Sequence, residues 1–276
     1  MLNALTIDVE DWFHILDLED GCTMADFAAM ESRVEKNTTK LLRILREFNV
    51  KGTFFVLGWV AENFPDLIRE IHREGHEIAS HGYSHTLCYE MSTEDFRQDT
   101  LKSICILEEL TGERILGYRV PGFSIGSENL DVLDILLDLG FKYDSSIYPG
   151  TRGHGGFPGA PRYIYQQSTP KGKRILEMPS SCFNIFGKNV AFAGGGYLRL
   201  FPYSVIKRGI YHYNKDGHPV NVYLHPREID PNHPRLEMPL HRKFKSYVNL
   251  RSTETKLKAL LRDYRFGRAK DVLGIK

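Results

Sequence analysis

Short apolar runs alternate with amphipathic stretches along the first two-thirds of the chain. Ala4–Ile7 is an apolar strand pattern that runs into the acidic cluster Asp8, Glu10 and Asp11. Arg33–Phe48 places Val34, Leu41, Leu42, Leu45 and Phe48 on one helical face. Thr53–Leu57 reads as a buried strand. Trp59–Glu74 reads as one helix closing at Gly75, because glycine accepts the left-handed conformation in which helices often end. Glu77–Ser80 is a strand leading into His81. Ser92–Thr111 is a helix with Ser92 as N-cap and Asp95 three residues on, resembling a capping box. Ile115–Val120 is a strand, Asn129–Leu139 a helix ending at Gly140, and Phe141–Asp144 a strand.

This β–α–β–α order predicts an α/β fold with parallel strands and helices outside them. Closed barrels of this kind place their chemistry at the C-terminal ends of the strands, and Asp8, His81, Arg119 and Asp144 fall at such ends. Beyond them, Tyr148–Gly159 is a loop rich in Gly and Pro, and Arg174–Met178 a strand. Phe192–Arg199 holds a run of glycines, Gly194–Gly196. Pro202–Tyr213 is a helix, Val220–Leu224 a strand ending at His225, and His241–Arg262 helical. With no internal repeat and no low-complexity linker, residues 1–276 read as a single domain, a barrel core to about residue 230 and an extension over 231–276.

Composition narrows the function classes. The 276 residues can bury a sizeable core, and 36 basic against 35 acidic residues argue against binding nucleic acid by bulk electrostatics. The N-terminus lacks a basic region followed by a long apolar stretch, and no apolar run approaches the ~18 residues of a membrane span. A cytoplasmic protein with no transmembrane segment is therefore the expectation; oligomeric state is not legible. Cys22, Cys88, Cys105 and Cys182 form no CxxC pair and are expected as buried free thiols.

The strongest local signal is SHGYSH. On a helical turn His81 and His85, four apart, would share a face and could reach one metal ion, with imidazole nitrogens that suit Zn²⁺. A hydrolytic metal also needs an anionic ligand and a base for water, and the cluster Asp8, Glu10, Asp11 could divide those tasks. His225, in LHPRE, suits an acid that protonates a leaving amine. Arg119 could hold a carboxylate through its fork, and Asp144 could orient His225.

Taken in order, TIDVEDW, SHGYSH, RVPGF, the YDSS aspartate and LHPRE resemble the five motifs of the NodB-homology polysaccharide deacetylases, carbohydrate esterase family 4. GTFFVLG is similar to the family's second strand. HGGFPGAPR, GGGYLRL and SYVNL are similar to the extension of a subgroup found in exopolysaccharide loci. The resemblance implies a distorted barrel of about seven β/α units, a divalent metal, usually zinc, and an N-acetylated oligo- or polysaccharide substrate. It implies Asp8 as general base, His81 and His85 as ligands, and Arg119 as the residue steering the base. It further implies Asp144 as partner of the acid His225, and Pro121 and Phe123 lining the site. Here the acids depart from the family's usual adjacent pair, so Glu10 or Asp11 is the third ligand, with the one-residue spacing favouring Glu10. Arg227 stands where relatives often carry an aromatic residue. Trp59, Tyr83 and Tyr197 could stack on sugar rings or pack in the core. The competing readings are a cyclic-amide hydrolase of allantoinase type and a non-catalytic sugar-binding module.

Overall fold

The computed structural model describes residues 1–16, 24–27 and 29–276; Cys22 lies outside them. In chain order the elements are β1 (Leu2–Val9), α1 (Met24–Phe27), α2 (Val34–Glu47), β2 (Thr53–Val56), α3 (Gly58–Asn63), α4 (Pro65–Arg73), β3 (Glu77–Ser80), α5 (Thr93–Thr111), β4 (Gly117–Tyr118), α6 (Asp131–Asp138) and β5 (Tyr143–Asp144). Then come β6 (Tyr165–Ser168), β7 (Arg174–Glu177), β8 (Cys182–Ile185), β9 (Lys188–Ala191), α7 (Gly195–Leu200), α8 (Tyr203–Lys215) and β10 (Asn221–Leu224). The chain ends with α9 (Leu240–Tyr247), α10 (Leu250–Asp263), β11 (Arg265–Gly267) and α11 (Ala269–Leu273).

The main sheet runs β10-β1-β2-β3-β4-β5-β7-β6, with β11 also on β1. Every ladder from β10 to β7 is parallel, and β6 joins antiparallel at the far edge. The sheet is a curled half-barrel rather than a closed ring. Between β7 and β10 the join is made by a side chain, Ser181 Oγ accepting from Asn221 N at 2.9 Å.

The two faces of β1 show how the curl is filled. Leu5, Ile7 and Val9 pack outward with the apolar stripes of the helices, among them Leu41, Leu42 and Leu45 of α2. Ala4 faces inward with Phe55, Ala79 and Tyr143. The alternation that sends the aliphatic residues out sends Thr6 and Asp8 in, where both meet Arg119. The polar residues of the interior therefore follow from strand periodicity.

Several expected elements differ. The Trp59–Glu74 helix is two, α3 and α4, because Pro65 cannot donate a helical hydrogen bond and restricts Phe64, which sits at φ −131°. The helix expected over 241–262 breaks between α9 and α10, where Asn249 takes a left-handed φ of 51°. Residues 231–276 return to the sheet. β11 pairs with Leu2–Ala4, Ala269 N donates to Thr53 Oγ1 at 2.7 Å, and Lys270 N to Glu77 Oε2 at 3.1 Å. Cys88 and Cys182 are buried, but Cys105 is exposed on α5. Among the described residues no helix is long and apolar enough to cross a membrane.

Candidate functional site

Asp8 lies near the end of β1, His81 follows β3, Arg119 follows β4 and His225 follows β10. Arg119 is fully buried. Its Nη1 donates to Asp8 Oδ1 at 2.5 Å and to Thr6 Oγ1 at 3.0 Å, its Nε to the Ser145 carbonyl at 3.1 Å, and its Nη2 to Ser145 Oγ at 2.8 Å. The guanidinium lies 4.1 Å from the centre of the Phe55 ring. With that many fixed contacts, Asp8 faces a positive charge that cannot swing away.

The two histidines meet by a different route from the helical turn expected for them. SHGYSH is a loop, not a helix. Gly82 sits at φ 75° and His85 at φ 63°, so the chain reverses between the two imidazoles. Asp99 of α5 holds the loop, accepting from Tyr83 N at 2.7 Å and Ser84 N at 3.0 Å. His81 Nδ1 donates to the Arg119 carbonyl at 2.6 Å, which leaves its Nε2 with a free lone pair. Burial, opposed by the charges of Asp8 and Glu10, takes the His81 pKa down to about 4, so the ring is neutral.

Glu10 completes the group. Its Oε2 lies 2.6 Å from His85 Nε2 and 4.0 Å from His81 Nε2, and the three donor atoms all lie within 4.8 Å of one another. Burial alone would raise the Glu10 pKa, but His225 and His85 outweigh it and hold the carboxyl well below its usual range. Asp11 is elsewhere. Its carboxylate accepts from Ser32 Oγ, Trp12 N, Arg33 N and Val34 N, capping the start of α2. Both of its oxygens accept hydrogen bonds there, and Asp11 is not in the Glu10–His81–His85 group.

His225 Nε2 lies 3.4 Å from Glu10 Oε1 and 3.8 Å from Asp8 Oδ2. The expected partner Asp144 does not reach it. Asp144 accepts from Ser146 Oγ and pairs across the β5–β7 ladder with Glu177. Burial, and then the Asp144 charge, push the Glu177 carboxyl well up. The pair braces Ser146, whose Oγ accepts from Val120 N at 2.8 Å, and so steadies the strand end that carries Arg119. The carboxylate facing His225 is Glu228, whose Oε2 lies 3.3 Å from Nδ1 and accepts from His225 N at 3.0 Å. Arg199 Nε donates to the other oxygen of Glu228 at 2.7 Å. Burial would lower the His225 pKa, but Glu10 and Glu228 outweigh it and raise it above its ordinary value.

Sequence reasoning passed over Glu228 although it stands inside LHPRE, because its spacing from His225 acquires meaning only in the tight turn Pro226–Ile229. It also passed over His14. Asp11 N donates to His14 Nδ1 at 2.8 Å, so the proton sits on Nε2 and this histidine does not offer a metal ligand. Its ring centre is 5.4 Å from that of His85, and it packs with Phe13, Phe27 and Trp59. Trp59 is thus part of an aromatic cluster under the site. Tyr83 points away from the cleft, its hydroxyl on Glu62 and Lys102 Nζ 3.5 Å over its ring. Pro121 is buried behind the wall that Val120, Gly122 and Phe123 present. Phe123 and Tyr197 do line the cleft, which has a volume of about 390 Å³ and is flanked by residues 238–248.

Comparison with known proteins bears on this arrangement. Residues 19–143 match the polysaccharide deacetylase family model, and residues 145–274 a domain of unknown function, DUF3473. A peptidoglycan-N-acetylglucosamine deacetylase of Bacillus cereus is 41% identical over 172 residues, covering 52% of this chain and 62% of that protein. The chain thus spans less than two-thirds of that relative's length. The crystal structure of a probable polysaccharide deacetylase from Pseudomonas aeruginosa PAO1 superposes with a TM-score of 0.63 at 19% identity, covering 98% of this chain and 88% of that one. The Puue allantoinase structure superposes as well, with a TM-score of 0.62 at 19% identity, covering 98% and 87%. Likeness at that identity establishes the half-barrel fold and does not separate two chemistries. The family model and the curated relative do more: over residues 19–143 the chain is similar to the polysaccharide deacetylases, and a match to DUF3473 follows directly.

Proposed function

We propose that this chain is a metal-dependent N-deacetylase that removes acetyl groups from an amino-sugar polysaccharide, of exopolysaccharide or peptidoglycan-like type, and releases acetate. One observation carries the reading. Glu10, His81 and His85 converge in the same cleft as the Asp8–Arg119 pair and His225.

The donor set fits a divalent ion. Two imidazoles, one of them with its tautomer fixed by a carbonyl, and one ionised carboxylate are the mixed N/O ligands that zinc accepts while keeping a position open. A bound ion of this kind supplies Lewis acidity to a carbonyl oxygen and lowers the pKa of water. The remaining chemistry belongs to the side chains. Asp8, held in place by Arg119, takes the proton of the attacking water. His225 starts protonated, secured by Glu228 and Glu10, and gives its proton to the amine nitrogen as the C–N bond breaks. Water's oxygen ends in acetate, and the sugar keeps the amine.

The test is acetate release from N-acetylglucosamine oligomers, with allantoin ring opening measured alongside. Metal-loaded protein is expected to release acetate and to leave allantoin untouched. His81→Ala is expected to lose bound metal and acetate release together. Full activity in metal-free His81→Ala protein would sink the proposal.

A further inference from the structure

The cleft has a second chemical character, which the acetyl-transfer geometry does not use. Its carboxylates are already engaged: Asp8 with Arg119, Glu10 with His85, Glu228 with Arg199 and His225. Its cations are less completely engaged: the charge of Arg227 bears on Glu10 and Glu228, but not through hydrogen bonds from its Nε or Nη1. Arg227, which lines the cleft, is only 9% exposed, and its Nε and Nη1 are buried without a hydrogen-bond partner. Arg152 likewise has a buried Nη1 without a partner, and its guanidinium lies over Phe123 and Tyr148, 5.1 and 5.4 Å from the ring centres. Lys245 lines the same space. Burial, with the charges of Arg242 and Arg152 nearby, lowers its pKa.

A buried guanidinium with unmet donors is unfavourable unless an anion satisfies it. Arg227 keeps that state two residues from His225, at the edge of the reacting centre. The planar fork of arginine matches a carboxylate with two parallel hydrogen bonds, and the neighbouring lysine adds charge without demanding geometry. A neutral amino-sugar chain offers these donors hydroxyl and acetamide oxygens but no charge to set against theirs.

We propose that the polymer accepted by this cleft carries carboxylate groups, as uronic acid or carboxyalkyl-substituted sugars do, and that Arg227, Arg152 and Lys245 bind such a group beside the N-acetylated residue. The proposal rests on the deacetylase reading for its reaction, but not for its binding. Product acetate is the other source of a carboxylate at this wall, and the experiment must tell the two apart.

Calorimetry on the full chain does so, with an oligosaccharide alternating N-acetylglucosamine and glucuronic acid and its carboxyl-reduced counterpart as probes. The acidic chain is expected to bind about tenfold more tightly, one strong charge-assisted contact's worth, and salt is expected to erode the preference. Arg227→Gln and Lys245→Gln are each expected to shrink it severalfold. Lys245, which is exposed, serves as the arm that folds if Arg227→Gln does not. Equal affinity for the two chains, or no binding of the acidic one, overturns the proposal. So does sodium acetate binding at this wall without any preference between the chains. Acetate release is read in parallel. Release without a binding preference overturns the carboxylate site and leaves the deacetylase standing; a binding preference without release from either chain supports the site and overturns the deacetylase.

Discussion

Two acids one position apart have different surroundings, and the difference is in what their oxygens touch. Glu10 offers an oxygen to the space between two imidazoles, while Asp11 gives both of its oxygens to the first turn of α2. Glu10→Gln keeps the shape and removes the charge, so metal affinity and acetate release are expected to fall together, by about 100-fold or more, with little change in melting temperature. Asp11→Ala leaves buried N–H groups without an acceptor, so unfolding free energy is expected to drop by about 2 kcal/mol. Its metal stoichiometry, measured by atomic emission, is expected to match the parent. If Asp11→Ala loses the metal while remaining folded, the assignment of the third ligand is wrong.

Arg199 shows how one element depends on another. It sits on α7, is 2% exposed, and ties Glu228 to the end of α9 by donating to the carbonyls of Lys245, Ser246 and Val248 at 2.9, 2.8 and 3.2 Å. Arg199→Met takes away the guanidinium that pairs one oxygen of the buried Glu228 and leaves the other oxygen to His225, which is expected to cost about 3 kcal/mol. Adding Glu228→Gln is expected to return a measurable part of that in urea unfolding, which a purely steric role would not. Such a tie was not legible in the sequence, since its partners lie 29 and about 46–49 positions away. What was legible had local causes. The strand ends carrying Asp8, His81, Arg119 and His225 follow from apolar runs that stop at a polar residue. The helix break at Phe64–Pro65 could have been read from the proline. The β8–β9 hairpin could not: Phe186 and Gly187 both have positive φ, 49° and 81°, where the usual signal would be Asn-Gly. The four-residue spacing of His81 and His85 suggests a helix, yet a left-handed His85 in a loop held by Asp99 is what brings them together.

On the scale of the whole molecule, neutral histidines are built into both ends of the fold. His76 precedes β3 and accepts at Nδ1 from Gly52 N at 3.1 Å; His233, in the extension, donates from Nδ1 to the Pro234 carbonyl at 2.8 Å. Burial, aided by Lys51 for His76 and by Arg227 for His233, takes both pKa values down to about 4. The sign follows from linkage. An unfolded histidine takes its proton near pH 6.5, the folded one near 4, so protons favour the unfolded chain as pH falls between those values. The stability these groups preserve is complete above about pH 6.5 and is lost progressively toward pH 4. Glu177 acts in the opposite sense, because a carboxyl raised well above its usual pKa is relieved by acid. The total pH profile therefore mixes opposing groups, and a difference measurement isolates one of them. His76→Gln removes a titrating group 24 positions from its hydrogen-bond partner and far along the chain from Glu177. The wild-type urea midpoint is expected to fall more steeply than the variant's between pH 7 and pH 4.5. Parallel profiles would mean that His76 takes up its proton equally in both states, and that its burial between α4 and β3 does not contribute to acid sensitivity.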